Sequence, residues 1–131
     1  MGEIKYFNPA SSAKPSGPYH TASKVGGRLS LAGQIPVNPN NSEAPIPEGF
    51  KAQAELVFEN ISLILKELGY SFTDIVQVGN FLIDLENDME CFNKVYSKYV
   101  KPECLPPRTT IGVSKLAKGC LIEIYIVAYN K

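Results

Sequence analysis

The sequence has a single histidine, three cysteines and no net charge, and each of these features disfavours a class of protein. Its 13 Lys and Arg residues balance 13 Asp and Glu residues. The chain therefore lacks the excess of basic residues that would bind nucleic acid or an anionic membrane surface. No stretch approaches the roughly 20 apolar residues of a membrane-spanning helix. Since no serine or cysteine partner is implied for His20, a catalytic triad is disfavoured too.

The three cysteines predict a reducing environment and no metal centre. Their number is odd, and they lack the Cys-x-x-Cys spacing of zinc sites, so we expect free thiols in the cytoplasm. Residues 1–9 carry charges and a proline in place of an apolar run, which predicts no signal peptide. The acidic residues of 84–90 lack the glycine and the spacing of an EF-hand loop. We expect neither a metal nor a cofactor.

The first half of the chain reads as a hairpin, a loop and a helix. Residues 20–25 and 28–34 are predicted strands around Gly26-Gly27, because paired glycines tolerate the positive φ of a tight turn. A proline- and asparagine-rich loop follows to about residue 47. Apolar residues then recur every three or four positions over 50–68, which predicts an amphipathic helix, and Gly69 ends it.

The second half of the chain predicts a strand, a helix and two further strands. Residues 75–83 are rich in branched side chains and read as a buried strand. Asn87 or Asp88 is the predicted cap of a second helix. Strands over 108–113 and 121–129 follow, read as a hairpin across Lys118-Gly119.

These elements give a single α+β domain over residues 1–131 in the order β-β-α-β-α-β-β, with room for one short strand near Tyr6. The alternation of strand and helix implies two right-handed crossovers, and the hairpins add antiparallel pairs, so the sheet is mixed. Two helices cover only one of its faces. Along the last strand, one set of alternating residues is fully apolar and fits beneath the helices. The other set is Leu121, Glu123, Tyr125, Val127 and Tyr129, which predicts a face buried in a homo-oligomer; the alternative is a half-exposed strand face.

Arg108 and Glu123 are the candidate chemical groups. Arg108 follows two prolines and offers a planar fork for a carboxylate or phosphate, although an arginine here is often a surface residue. Glu123 lies in an apolar strand, where an unpaired carboxylate is costly, and the residue pattern alone favours a salt bridge. The predicted hairpin would bring both residues together on one face as a small anion site.

Five short motifs, in this order, resemble the YjgF/Rid family, also called endoribonuclease L-PSP proteins. The resemblance covers residues 9–129. The motifs are Gly17-Pro18-Tyr19, Ala32-Gly33-Gln34-Ile35-Pro36, Asn93-Lys94-Val95-Tyr96, Pro107-Arg108-Thr109-Thr110 and Ile122-Glu123-Ile124.

The resemblance implies a chorismate-mutase-like fold, a homotrimer with clefts between subunits, and hydrolysis of 2-imino acids such as 2-aminoacrylate to 2-oxo acids and ammonia. It implies that Arg108 binds the substrate carboxylate and that Glu123 positions or activates water. Other implied cleft residues are Tyr19, Gly33, Asn93 and Thr110. No cofactor is implied.

Two positions depart from the family pattern. Many members have serine where this chain has Ala32, and cysteine where it has Thr110. The stretch between Leu85 and Asn93 is also one residue longer than usual. The sequence therefore leaves two alternatives to an imine deaminase open: a single-stranded RNA endoribonuclease acting as a translation inhibitor, and a non-catalytic binder of small carboxylates.

Overall fold

The computed structural model describes residues 2–131, and Met1, part of the segment that predicts no signal peptide, lies outside them. Within this range the fold is α+β, as predicted, and its elements alternate in the expected order. The two helices are α1 (Phe50–Leu68) and α2 (Leu85–Tyr99). The strands are β1 (Lys5–Phe7), β2 (Ala22–Val25), β3 (Arg28–Leu31), β4 (Ile75–Leu82), β5 (Arg108–Gly112) and β6 (Ile122–Tyr129).

Glycines set two boundaries where the sequence predicts them. Gly26 has φ 57° in the turn between β2 and β3. Gly69 follows α1 with φ 84°, and its N–H donates to carbonyls of the last turn, which ends the helix. The short strand expected near Tyr6 is β1, which pairs with β2.

Helix α2 begins earlier than predicted. Asp84 caps it, because its side chain accepts a hydrogen bond from the backbone N–H of Asn87 at 3.2 Å. The Asn87 side chain also donates to Asp84 at 2.9 Å. The prediction of a cap at Asn87 or Asp88 is therefore wrong: the carboxylate one turn earlier satisfies the free N–H groups.

The sheet order corrects one prediction about the strands and confirms another. The order is β1-β2-β3-β6-β4-β5, so β4 separates β5 from β6 and these last two strands are not a hairpin. Strands β4 and β5 pair in parallel, as a crossover through α2 requires. Helix α1 connects β3 to β4, and these two strands are not neighbours in the sheet. Strand β6 lies between them and pairs antiparallel with both. The mixed sheet is confirmed, with one directly paired parallel pair.

Both helices pack on one face of the sheet, which we call the helix face. As predicted, alternate residues of β6 lie beneath them and are at most 2% exposed: Ile122, Ile124, Ile126 and Ala128. The opposite face, here the open face, carries Glu123, Tyr125, Val127 and Tyr129. Leu121 precedes β6 and packs against the helix-side core, so its predicted place on the open face is wrong. No helix in residues 2–131 is long and apolar enough to cross a membrane.

Candidate functional site

Arg108 lies at the start of the edge strand β5, on the helix face. It pairs in register with Val78, whose side chain is buried under the helices. Its guanidinium lies 4.8 Å from the ring centre of Tyr96 and 5.1 Å from that of Phe92. One nitrogen donates a hydrogen bond of 2.9 Å to the Asn93 side-chain oxygen. Helix α2 therefore fixes the guanidinium with two aromatic faces and one amide.

Among the described residues, the charge of Arg108 has no acidic partner. The one ion pair found within residues 2–131 joins Lys98 to Glu55 on the outer surfaces of the helices. Cation–π contacts and a neutral amide orient a guanidinium, but they leave its positive charge uncompensated. A cavity of about 270 Å³ opens beside it, lined also by Leu105 and Pro106. The arrangement suits a small anion such as a carboxylate.

Tyr96 is buried beneath Arg108. It is 6% exposed, and its hydroxyl has no hydrogen-bond partner among the described residues. Burial raises the pKa of Tyr96, and the nearby Arg108 opposes part of that rise. The hydroxyl is therefore held in its neutral form, and the ring serves Arg108 as a flat, uncharged support.

Thr110 lies two residues beyond Arg108 and shares its face of β5. It pairs in register with Asn80 of β4, whose side-chain nitrogen donates to the Thr110 hydroxyl at 3.2 Å. Arg108, Asn93 and Thr110 thus lie on one side of the sheet, together with Phe92 and Tyr96. We call these five residues the Arg108 half-site.

Glu123 lies on the open face of β6, in register with Phe81. Its carboxylate packs directly over Gly33: a Cβ atom at that position would collide with a Glu123 carboxylate oxygen. The residue after Gly33 is held by two backbone hydrogen bonds between Gln34 and Ile124, of 2.7 and 3.0 Å. Only glycine leaves room for the carboxylate, which is why this loop can approach the strand so closely.

Burial raises the pKa of Glu123 above its ordinary value of 4.5. No cation of the described residues lies within ion-pair distance of it, so the salt bridge favoured by the residue pattern alone is absent from this part of the chain. A carboxylate that is partly desolvated and unpaired binds protons more readily than one in water. Glu123 is thereby a better proton acceptor than a carboxylate in water.

A cavity of about 280 Å³ adjoins Gly33. Ala32 and Tyr19 line it, and Tyr19 is 51% exposed. Ala32 presents only a methyl group to the cavity, so no side-chain hydroxyl is available at that position. Glu123, Gly33 and Tyr19 form what we call the Glu123 half-site.

The two half-sites lie on opposite faces of one chain. Arg108 shares its face with Val78, whereas Glu123 shares the other face with Phe81, three residues further along β4. The prediction that pairing brings Arg108 and Glu123 together on one face is therefore wrong. The physical reason is the insertion of β4 between their strands, together with the alternation of side chains along each strand.

Other candidate groups lie apart from both half-sites. The cysteines are free thiols, as predicted. Within residues 2–131, no group of three or more His, Cys, Asp or Glu side chains is placed to hold a metal ion. His20 lies on the surface, where its ring packs 5.5 Å from that of Tyr6.

Sequence reasoning missed three contributors to the Arg108 half-site. Phe92 and Tyr96 are buried on the apolar side of α2, and their rings also support the Arg108 guanidinium. Asn80 is an amide on the otherwise apolar helix face of β4, between Val78 and Leu82, and such a residue is a detectable signal. Helical spacing alone could not show which strand residue lies above the rings.

Known proteins resemble this chain over most of its length. The family model described as Endoribonuclease L-PSP matches residues 10–130. A RutC family protein of Pyrococcus abyssi is 44% identical over 118 residues, covering 90% of this chain and 91% of that protein.

Solved structures share the fold at similar coverage. RidA from the Antarctic bacterium Psychrobacter superposes with a TM-score of 0.88 at 35% identity, covering 96% of this chain and 99% of the other. TdcF of E. coli, whose crystal structure contains bound serine, superposes with a TM-score of 0.86 at 32% identity, covering 97% and 99%. Sequence and fold therefore agree, and the chain belongs to the Endoribonuclease L-PSP family, which is the YjgF/Rid family.

Proposed function

We propose that this protein is a cytoplasmic imine deaminase, which hydrolyses small 2-imino acids such as 2-aminoacrylate to 2-oxo acids and ammonia without a cofactor. The observation that carries the proposal is the uncompensated guanidinium of Arg108, held ready for a carboxylate by Asn93 and two aromatic rings. Bound serine in the relative TdcF shows that a small amino acid can be held by that protein. A 2-imino acid has a comparable size and the same carboxylate.

Arg108 supplies binding and orientation. Its guanidinium donates two parallel hydrogen bonds to a carboxylate, while the rings beneath prevent the guanidinium from tilting. A carboxylate fixed in this way leaves the adjacent imine carbon in a defined position. Much of the rate gain for a reactive imine comes from such positioning.

Glu123 supplies proton transfer. As a carboxylate it takes a proton from a water molecule, whose oxygen forms a bond to the imine carbon, while the electron pair of the C=N bond moves to nitrogen. The resulting carbinolamine then breaks its C–N bond. Glu123 returns the first proton to the nitrogen, and as C=O forms the hydroxyl proton passes through Glu123 to the same nitrogen, which departs as ammonia. Imine and water are consumed, and one 2-oxo acid and one ammonia are released.

A single chain cannot perform both roles on one substrate, because the sheet separates Arg108 from Glu123. The open face offers the remedy: besides Glu123 it carries Tyr125, Val127 and the half-exposed Tyr129, and neither α1 nor α2 covers it. We propose that this face packs in a homotrimer, so that the Arg108 half-site of one chain meets the Glu123 half-site of the next. A symmetric ring then contains three equivalent clefts.

The direct test couples a serine or threonine dehydratase to this protein. Added wild-type protein is expected to accelerate the decay of 2-aminoacrylate to pyruvate, and Arg108→Ala and Glu123→Gln are each expected to abolish the acceleration. Equal rates for wild type and Arg108→Ala would refute the catalytic proposal.

The shared cleft has its own test. Co-expressed Arg108→Ala and Glu123→Gln chains form mixed trimers, in which about a quarter of the clefts receive an intact residue from each neighbour if subunits assort randomly. Activity of the mixture is expected to approach about a quarter of wild type, although each variant alone is inactive. A mixture as inactive as its parents, or a monomer by light scattering, would contradict the shared cleft.

RNA cleavage is the activity that the family description names, and it forms a second arm of the test. The neutral chain and the isolated His20 offer little for phosphate binding or proton transfer. Cleavage of single-stranded RNA that disappears in Glu123→Gln, in nuclease-free preparations, would favour it. Binding of small carboxylates without imine turnover would instead favour the non-catalytic binder.

A further inference from the structure

Asn80 is a polar side chain in the middle of the sheet. It lies on the helix face of β4 between Val78 and Leu82, and it is 0% exposed, as are many of the apolar side chains around it. An amide in such a place loses its hydration and destabilises the fold unless both of its ends find partners. An apolar residue of similar size would avoid this cost.

Only one end of the Asn80 amide is satisfied. Its nitrogen donates to the Thr110 hydroxyl at 3.2 Å, whereas its oxygen has no partner among the described residues. A half-satisfied amide is a poor device for stability. The one hydrogen bond of the Asn80 side chain is to Thr110, a residue of the Arg108 half-site.

The contact determines what the Thr110 hydroxyl can do. A hydroxyl has one proton to donate and two lone pairs, and here one lone pair already accepts from Asn80. Its proton therefore points away from Asn80. Threonine is also restricted at χ1 by its branched Cβ, so the oxygen keeps its place on β5.

We infer that Asn80 is a positioning residue, which turns the Thr110 hydroxyl into a hydrogen-bond donor for the ligand that Arg108 anchors. The inference rests on the proposed function and assigns Asn80 a part in it. Thr110 is two residues from Arg108 on the same face, or about 7 Å along the strand. In a 2-oxo or 2-imino acid the carbonyl oxygen forms on C2, the carbon that bears the carboxylate, and the Thr110 donor is placed to meet that oxygen while Arg108 holds the carboxylate. The pair thus favours ligands that have an acceptor atom next to the carboxylate-bearing carbon.

The test is a double-mutant cycle of Asn80→Leu and Thr110→Val, with two readouts: kcat/KM for imine hydrolysis and the Kd of 2-oxobutanoate by calorimetry. Each single substitution is expected to weaken both by about tenfold, the effect of one lost hydrogen bond. The double variant is expected to be no worse than Thr110→Val, because Asn80 acts only through that hydroxyl. Thr110→Ser, which keeps the hydroxyl, is expected to retain most activity.

Thermal unfolding separates positioning from folding. Asn80→Leu removes an unpaired buried oxygen, and we expect its Tm to equal or exceed that of wild type while its activity falls. Ile64→Val, a core substitution in α1, is the control that lowers Tm with unchanged kcat/KM. If Asn80→Leu does not fold, Asn80→Val completes the same cycle with a residue that favours strands.

The outcomes distinguish this inference from the proposed function. Independent, additive losses from the two substitutions would overturn the role of Asn80 while imine hydrolysis stands. Full activity in Asn80→Leu would do the same. A wild-type protein that neither hydrolyses the imine nor binds 2-oxobutanoate would overturn both.

Discussion

The two half-sites prepare a charged group in different ways. In the Arg108 half-site, neighbouring side chains surround the guanidinium, and two rings and an amide orient it without neutralising it. In the Glu123 half-site, the main influences are burial, which raises the pKa of the carboxylate, and a loop glycine that lets the backbone approach closely. The first arrangement fixes the orientation of the guanidinium, as binding of a carboxylate requires. The second adjusts proton affinity, as acid–base chemistry requires.

Replacing the proton carrier is expected to have the largest effect. Glu123→Gln keeps the size of the side chain and its place over Gly33 but removes the base, so kcat is expected to fall by roughly 10²–10⁴-fold. Dehydratase-coupled kinetics measures it, with Glu59→Gln on the exposed side of α1 as the matched control. If kcat falls by less than threefold, Glu123 is not the base, and the assignment of binding to one half-site and proton transfer to the other is wrong.

Arg108→Lys tests orientation against charge. Lysine keeps the positive charge but loses the planar fork and its fit against the rings, so KM for the imine is expected to rise by about 10- to 100-fold with a smaller change in kcat. The exposed Arg28→Lys on β3 is the matched control. An unchanged KM would mean that any cation suffices at this place and that the aromatic support is incidental.

Tyr96 allows a finer comparison within the Arg108 half-site. Tyr96→Leu removes one aromatic face, worth about 0.5–2 kcal/mol, and KM is expected to rise by roughly threefold to thirtyfold. Tyr96→Phe keeps the ring and removes the unpartnered hydroxyl, so we expect near-normal KM and equal or greater stability to urea. Equal KM values for the two variants would show that the ring does not orient Arg108.

The smallest expected effect concerns stability and pH in the Glu123 half-site. Unfolded chains release the Glu123 proton near 4.5, whereas the folded chain, with its raised pKa, releases it at higher pH. Between these values the folded state binds more protons, so the free energy of unfolding falls as pH rises. The contribution is fully present below about 4.5 and is lost as pH rises through the folded pKa.

Urea unfolding of wild type and Glu123→Gln from pH 4 to pH 8 measures this difference. Wild type is expected to lose stability relative to Glu123→Gln as pH rises. Over the same range its kcat/KM is expected to increase, because the base must be ionised to act. A stability difference that stays constant with pH would show that burial does not perturb Glu123.

Most of the local structure of this protein follows from short-range patterns in its sequence. The spacing of apolar residues identified α1, Gly69 identified its end, Gly26 identified the turn between β2 and β3, and alternation along β6 identified the buried face. These features depend on residues near one another in the chain, so a periodic pattern is sufficient to reveal them. The motifs likewise identified Arg108 and Glu123 as the groups to examine.

The tertiary structure decided which groups meet. Strand β6 pairs between β3 and β4 because strands that are distant in the chain bury apolar surface together. No local sequence pattern predicts this order. This order places Arg108 and Glu123 on opposite faces, where the sequence had predicted one. It also places Phe92 and Tyr96 beneath Arg108 and Asn80 beside Thr110, because contacts between α2, β4 and β5 exist only after the sheet has formed.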